Sequence, residues 1–384
     1  MYPRFSEAEF SRRSMAVRVA LRDAEFSALL VYNTPSSYNE VLYLSNFITT
    51  RESFLVFPAE GEPTLFIQMF NHIPNARQVA NIADLRWGGP DSAAAVAENL
   101  RERRLEHSRV GLVGPISFKH YNALKKALPN ITFIDFTPQF LQFRLIKSEE
   151  EIEFLRIGAQ FSDLAIEALE REARPGITEN DLVAIVEGAY LRLGGKNHIH
   201  YMGTTPMSNP DLCVPAQLQS NRILQTGDVL ITEISAHCHG YTGQILRPFA
   251  IGTPPTPAYR RMYDVAVETF NRIADVIRPG ATSEEVLDAG DYIHQAGFTI
   301  CDDLVHGFGG GYLRPVLRTR RTSARLARPP EPFVFRENMV LVIQPNVITE
   351  DEHMGIQVGE MMRVKPGGIE SLHRYPMRFI QCLG

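Results

Sequence analysis

The chain has 384 residues, enough for two or three domains of ordinary size. It is 44% hydrophobic and 22% charged, as soluble globular proteins are, and its formal charge of −5 speaks against a nucleic-acid partner. No run approaches the roughly 18 apolar residues of a membrane span, and no secretory leader is visible in the first residues. Four scattered cysteines without a CxxC pair point to a reduced, cytoplasmic protein lacking a cysteine-based zinc site.

In chain order, a helical segment runs from Phe10 to Asp23. Short apolar runs of strand length follow at Ala28–Tyr32 and Phe54–Phe57. Ser92–Arg104 has helical periodicity, Val110–Val113 is strand-like, and Tyr121–Ala127 is helical again. This alternation predicts an α/β domain over residues 1–146, with a mixed sheet covered by helices. A long helix should start after Ser148, a capping residue followed by three acids. Two later segments resemble each other: Arg174-Pro-Gly-Ile-Thr-Glu-Asn-Asp181 and Arg278-Pro-Gly-Ala-Thr-Ser-Glu-Glu285. Each is a Pro-Gly turn, then Thr with an acid three residues on, then a helix ending near Gly194 or Gly297. The pair predicts an α+β domain over 147–384, built twice from one helix-and-strand unit.

Five segments then resemble, in order, the motifs of the pita-bread hydrolases (creatinase, proline dipeptidase, methionine aminopeptidase). They are Glu40–Phe47, Phe143–Arg156, Gly227–Ala236, Gly240–Phe249 and Val305–Gly309, with Met339–Asn346 as the strand that ends in Glu-Pro in that family. The resemblance implies a creatinase-like N-terminal domain and a pita-bread catalytic domain. It also implies a homodimer.

In the metallopeptidase branch, five side chains hold a dinuclear metal. Carried over by the resemblance, the two Asp positions fall on Glu233 and Gln244, and the His on His306. The two Glu positions fall on Gln344 and Gly359. Glu360 stands one place late; strand alternation would turn it away, but a bulge would bring it in, and it is kept as a candidate substrate-binding residue. Two amides and a glycine contribute no charge to balance two cations, so no dinuclear metal or other cofactor is expected, and a single weak metal on Glu233, His306 and a rotated Glu360 stays open. Creatinase is the family's precedent for metal-free C–N hydrolysis with a His proton shuttle. Its own substrate His falls near Ala216, and its carboxylates at the Gln244 and Gln344 positions are gone.

His306 is the expected proton shuttle, since imidazole ordinarily titrates near ~6.5. Glu233, flanked by Val229–Ile231, is expected to assist with a burial-raised pKa. Gln244 and Gln344 either hold the reacting group or bond each other in the abandoned cage. His198 and His200 share one strand face, and either would replace the absent His. Cys213 is in the loop of that missing His; a thiol nucleophile and a small buried apolar residue are both open readings. Arg314, Arg318, Arg320, Arg321, Arg325 and Arg328 cluster between motifs, and Arg314 is expected to grip a substrate carboxylate beside the glycine-rich turn ending at Tyr312. Together these predict a metal-independent hydrolase of a C–N bond (amide, ureido, imide or amidino) in a small carboxylate-bearing substrate. A lyase or decarboxylase, a non-catalytic binding module, and an atypical metal-dependent Xaa-Pro peptidase remain as alternatives.

Overall fold

A computed structural model describes residues 2–37, 39–326 and 331–383. The chain divides into two compact units, Met1–Arg144 and Leu145–Gly384. Among the described residues, no helix is long and apolar enough to cross a membrane.

The first unit is built on a six-stranded mixed sheet. Its strands run in the order Asp84–Trp87, Thr64–Ile67, Ser53–Pro58, Ala28–Asn33, Arg109–Val113, Thr132–Asp135. The two central strands are buried at every residue, and helices cover both faces, so their apolar runs are continuous. Glu40 is buried here. It accepts hydrogen bonds from Asn33 Nδ2 at 2.8 Å and from the Arg144 guanidinium at 3.1 Å, which makes that motif structural within its unit.

The second unit is a strongly connected ten-stranded sheet. Its main path runs Leu313–Leu317, Val305–Gly307, Val340–Ile343, Gly359–Lys365, Tyr241–Leu246, Asp228–Cys238, Phe249–Ile251, Ile380–Cys382. Lys196–Pro206 pairs with the strand Asp228–Cys238, from Lys196 opposite His237 to Pro206 opposite Asp228. The long helix Glu149–Glu172 starts at a capping box, with Ser148 and Glu151 each satisfying the other's backbone N–H. The repeated segments each form the same device, Thr178 with Asp181 and Thr282 with Glu285.

The long helix lies directly on the sheet. A Cβ on Gly158 would come within 2.7 Å of the Tyr241 carbonyl oxygen, and one on Gly243 within 2.2 Å of the Ala159 backbone. Only glycine at both places lets helix and strand backbones touch. The contact fixes the strand that carries Gln244, and with it one wall of the site.

Candidate active site

Strand register brings the key side chains together. Ser235 stands opposite Gln244 across the Asp228–Cys238 and Tyr241–Leu246 pair, so Glu233 is Gln244's diagonal neighbour on the same face. His306 stands opposite Val342, and Gln344 immediately follows that strand, again on the same face. These four side chains line a cavity of about 360 Å³. Asp302, Asp303 and Tyr312 complete its polar wall, and Ile199, Tyr201, Pro215 and Phe308 its apolar one.

The two glutamines do bond each other. Gln244 Nε2 donates to Gln344 Oε1 at 2.8 Å and also to Glu233 Oε1 at 3.1 Å. Gln344 Nε2 reaches on to Asp302 Oδ2 at 3.4 Å, and Gln357 Nε2 donates to the same oxygen at 3.3 Å. The result is one continuous amide–carboxyl chain across the pocket floor.

Burial sets the electrostatics. It pushes Glu233 up to about 8, with Asp302 and Asp303 adding to the shift, so at neutral pH this carboxyl keeps its proton. Burial likewise lifts Asp303 to about 7, with Asp302 reinforcing it and Arg318, 3.4 Å away, opposing it. His306 moves the other way. Full burial pulls it down to about 4, against the pull of the Gly307 carbonyl and Gln344. The expected near-neutral shuttle is thus corrected: the ring is neutral across the physiological range. Its Nδ1 is 3.2 Å from Gly307 O and its Nε2 is 3.3 Å from Gln344 Oε1. A neutral ring has one N–H, so it donates to one of these and leaves the other nitrogen able to accept a proton.

Tyr312 lies where the glycine-rich turn suggested, beside the pocket. Its ring stacks on His306 at 4.4 Å and 23°, and its hydroxyl donates to Asp303. Four other expectations are corrected. His198 and His200 do not line the cavity; Ile199 and Tyr201 do, because they stand opposite Ser235 and Glu233 on the pocket face. His200 turns to the core and bonds the Tyr190 hydroxyl at 2.5 Å, while His198 packs its ring against His237 and Phe308. Arg314 points to solvent from an edge strand and pairs with Glu331 at 2.7 Å. Glu360 is turned away from the cavity and paired with the fully buried Arg247, as alternation requires, so it is no pocket residue.

Of the other arginines, Arg320 pairs with Glu284 and Asp288, and Arg321 with Glu350, all on the surface. Among the described residues of the cluster, Arg318 alone has an ion pair to a pocket acid. Arg328 lies outside the described residues. Cys213 is half-buried, and the neighbouring Cys301 thiol holds its own below the ordinary value.

Asp302 and Asp303 were missed in the sequence. They lie in the Ile300–Asp303 connection, outside any strand, although two adjacent acids just before the apolar Leu304–Val305 and His306 were a usable signal.

A family model described as "Metallopeptidase family M24" matches residues 153–366, and one described as "Creatinase/Prolidase N-terminal domain" matches residues 13–146. An uncharacterized hydrolase/peptidase of Sinorhizobium fredii is 27% identical over 390 residues, covering 97% of this chain and 96% of its own length. The Xaa-Pro dipeptidase of Pyrococcus furiosus is 23% identical over 264 residues, covering 68% and 73%. Creatinase of a Bacillus species is 22% identical over 391 residues, covering 97% and 92%. Among solved structures, the prolidase of Pyrococcus horikoshii OT3 superimposes with a TM-score of 0.81 at 19% identity, covering 96% of this chain and 100% of that one. The two-domain pita-bread architecture is therefore established. The same matches overturn the expectation of a metal-independent hydrolase of a non-peptide C–N bond: the matching family is one of metallopeptidases, and Xaa-Pro dipeptidases recur among the relatives.

Proposed function

The chain belongs to metallopeptidase family M24, and from that premise we infer that it is a hydrolase of the Xaa-Pro peptidase type with atypical metal use. The observation that carries this reading is the cavity itself. It has an apolar wall, is large enough for a dipeptide-sized ligand, and is lined by Glu233, Asp302, Asp303 and His306.

A family metal pair does not fit the residues present. Among the described residues, no three His, Cys, Asp or Glu side chains converge on a point able to hold an ion. Gln244 and Gln344 are occupied with each other. At Gly359 a Cβ would stand 2.4 Å from the Ile343 carbonyl oxygen, so that position has no room for a ligand.

The chain's own groups divide the proton work. Neutral His306 accepts a proton from water attacking the peptide carbonyl. Protonated Glu233 delivers one to the nitrogen as the C–N bond breaks. Gln244 and Gln344 hold Glu233 and His306 in register through their shared hydrogen bonds. The acids Asp302 and Asp303 suit the free α-ammonium of a short peptide. All four cysteines are free, which fits a reducing, cytoplasmic setting.

The test is hydrolysis of a panel of Xaa-Pro dipeptides by the full chain. Each would be run after chelation and again with manganese, cobalt or zinc added, with bound metal measured in parallel. The reading requires cleavage of at least one such dipeptide and a metal content well short of a pair per chain. No cleavage under any of these conditions would falsify it.

A further inference from the structure

We propose that Cys213 and Cys301 form a reversible disulfide in the wall of the pocket, made by a peroxide and undone by low-molecular-weight thiols. This site is separate from the hydrolytic reading and does not depend on it.

Two thiols are already placed for the bond. Each stands close enough to shift the other's ionisation. Asn346 holds both residues, accepting from Cys301 Sγ at 3.4 Å and donating through Nδ2 to the Cys213 carbonyl at 3.3 Å. Cys213 is also braced from behind, because a Cβ on Gly355 would lie only 1.9 Å from its carbonyl oxygen. Cys301 is exposed and lines the cavity, so an oxidant that enters the pocket reaches the pair.

The two sulfurs are not equivalent. The Cys301 thiol beside it holds the Cys213 thiol below its ordinary value, outweighing the effect of burial, whereas Cys213 together with burial pushes Cys301 well up. Cys213 is thus the attacking thiolate and Cys301 the resolving thiol. The Cys213 thiolate attacks one peroxide oxygen, the O–O bond breaks, and hydroxide leaves, giving a sulfenic acid. Cys301 sulfur then attacks the Cys213 sulfur, the S–O bond breaks, and water leaves. The two thiols lose two electrons and two protons, and one peroxide becomes two waters. Cys238 and Cys382 offer no comparable pair, since burial pushes their thiols up to about 11 and about 12.

The bond would tie the segment carrying Val214 and Pro215 to the one carrying Asp302 and Asp303, both of which line the cavity. It would therefore join two walls of the site by a covalent link.

The experiment treats the full chain with a small excess of hydrogen peroxide, blocks remaining thiols, and maps the peptides by mass spectrometry with and without dithiothreitol. The expected result is a Cys213–Cys301 linked peptide that disappears on reduction, and two free thiols left of the four. Cys213→Ser should abolish the link. Cys301→Ser should instead leave a sulfenic acid on Cys213 that dimedone traps. Recovery of wild-type Cys213 only as reduced thiol or as sulfinic or sulfonic acid, with no linked peptide, would overturn the proposal.

Discussion

Gln244 Nε2 sits 2.8 Å from Gln344 Oε1, and this single amide contact spans the floor of the pocket. Both residues are almost wholly buried. Two neutral amides satisfy each other there without the cost that two uncompensated carboxylates would bring.

Gln344→Leu removes the acceptor for Gln244 and the donor to Asp302 together. Stability should fall by about 1–3 kcal/mol, the usual cost of a buried polar group left unpaired. Urea unfolding followed by circular dichroism measures it; an unchanged midpoint would show that the amide chain contributes nothing.

Gly359→Glu replaces the glycine by the acid that the resemblance places there. The new side chain has the Ile343 carbonyl at 2.4 Å and the Gln344 backbone at 2.8 Å in its way. The expected outcome is a loss of about 1–3 kcal/mol from overpacking, with no gain of bound manganese or zinc by elemental analysis. A stable variant that takes up metal would contradict this account of the site.

Glu233→Gln should stabilise the protein in weak base. Between the ordinary carboxyl value of 4.5 and about 8, the unfolded chain has released this proton and the folded chain keeps it. Folded wild type therefore binds more protons and loses stability as pH rises through that window, by at most about 1.4 kcal/mol per pH unit. The glutamine variant lacks this slope, so melting curves of the two should coincide near pH 4.5 and separate by pH 8. Parallel curves throughout would show that Glu233 titrates normally.

Turnover on a cleaved Xaa-Pro dipeptide should need neutral His306 and protonated Glu233. The kcat/KM profile is then flat near neutrality, falling in acid toward about 4 and in base beyond about 8. His306→Ala should cost about 10²–10⁴-fold in turnover, the range for a positioned acid or base. An acid limb near the ordinary imidazole value would mean that the ring is less buried than the structure places it.

Arg247 is fully buried, donates to the carbonyls of Gly359, Leu246, Pro376 and Tyr375, and pairs with Glu360. Arg247→Met leaves Glu360 as an uncompensated buried acid, at a cost of about 3–5 kcal/mol. The double variant with Glu360→Gln should recover part of that loss. Equal stability of single and double variants in thermal melts would argue that the ion pair is unimportant.

Local signals in the sequence were legible wherever the chain's own chemistry decides the outcome. Ser148, Thr178 and Thr282 each cap a helix with an acid three residues on, and the structure has all three boxes. Register at Glu233, Gln244, His306 and Gln344 followed from ordered motifs, and all four line one cavity. Strand parity was not legible at His198 and His200, because it is set by the pairing of Ile199 with Ser235 and of Tyr201 with Glu233 on another strand. Nor was the depth of His306, whose shift comes from packing by distant segments. Asp302 and Asp303 were overlooked because they belong to a connection, where no periodicity announces which side chains turn inward.

The bare contact between Gly158 and Gly243 has one more result. Residue 243 presents its only open side to helix backbone, so the next side chain, Gln244, is left a single direction. The amide that organises the pocket is therefore aimed by an absence of atoms on the opposite side of its strand. A methyl group added there, remote from any ligand, would be felt first as a misdirected hydrogen bond.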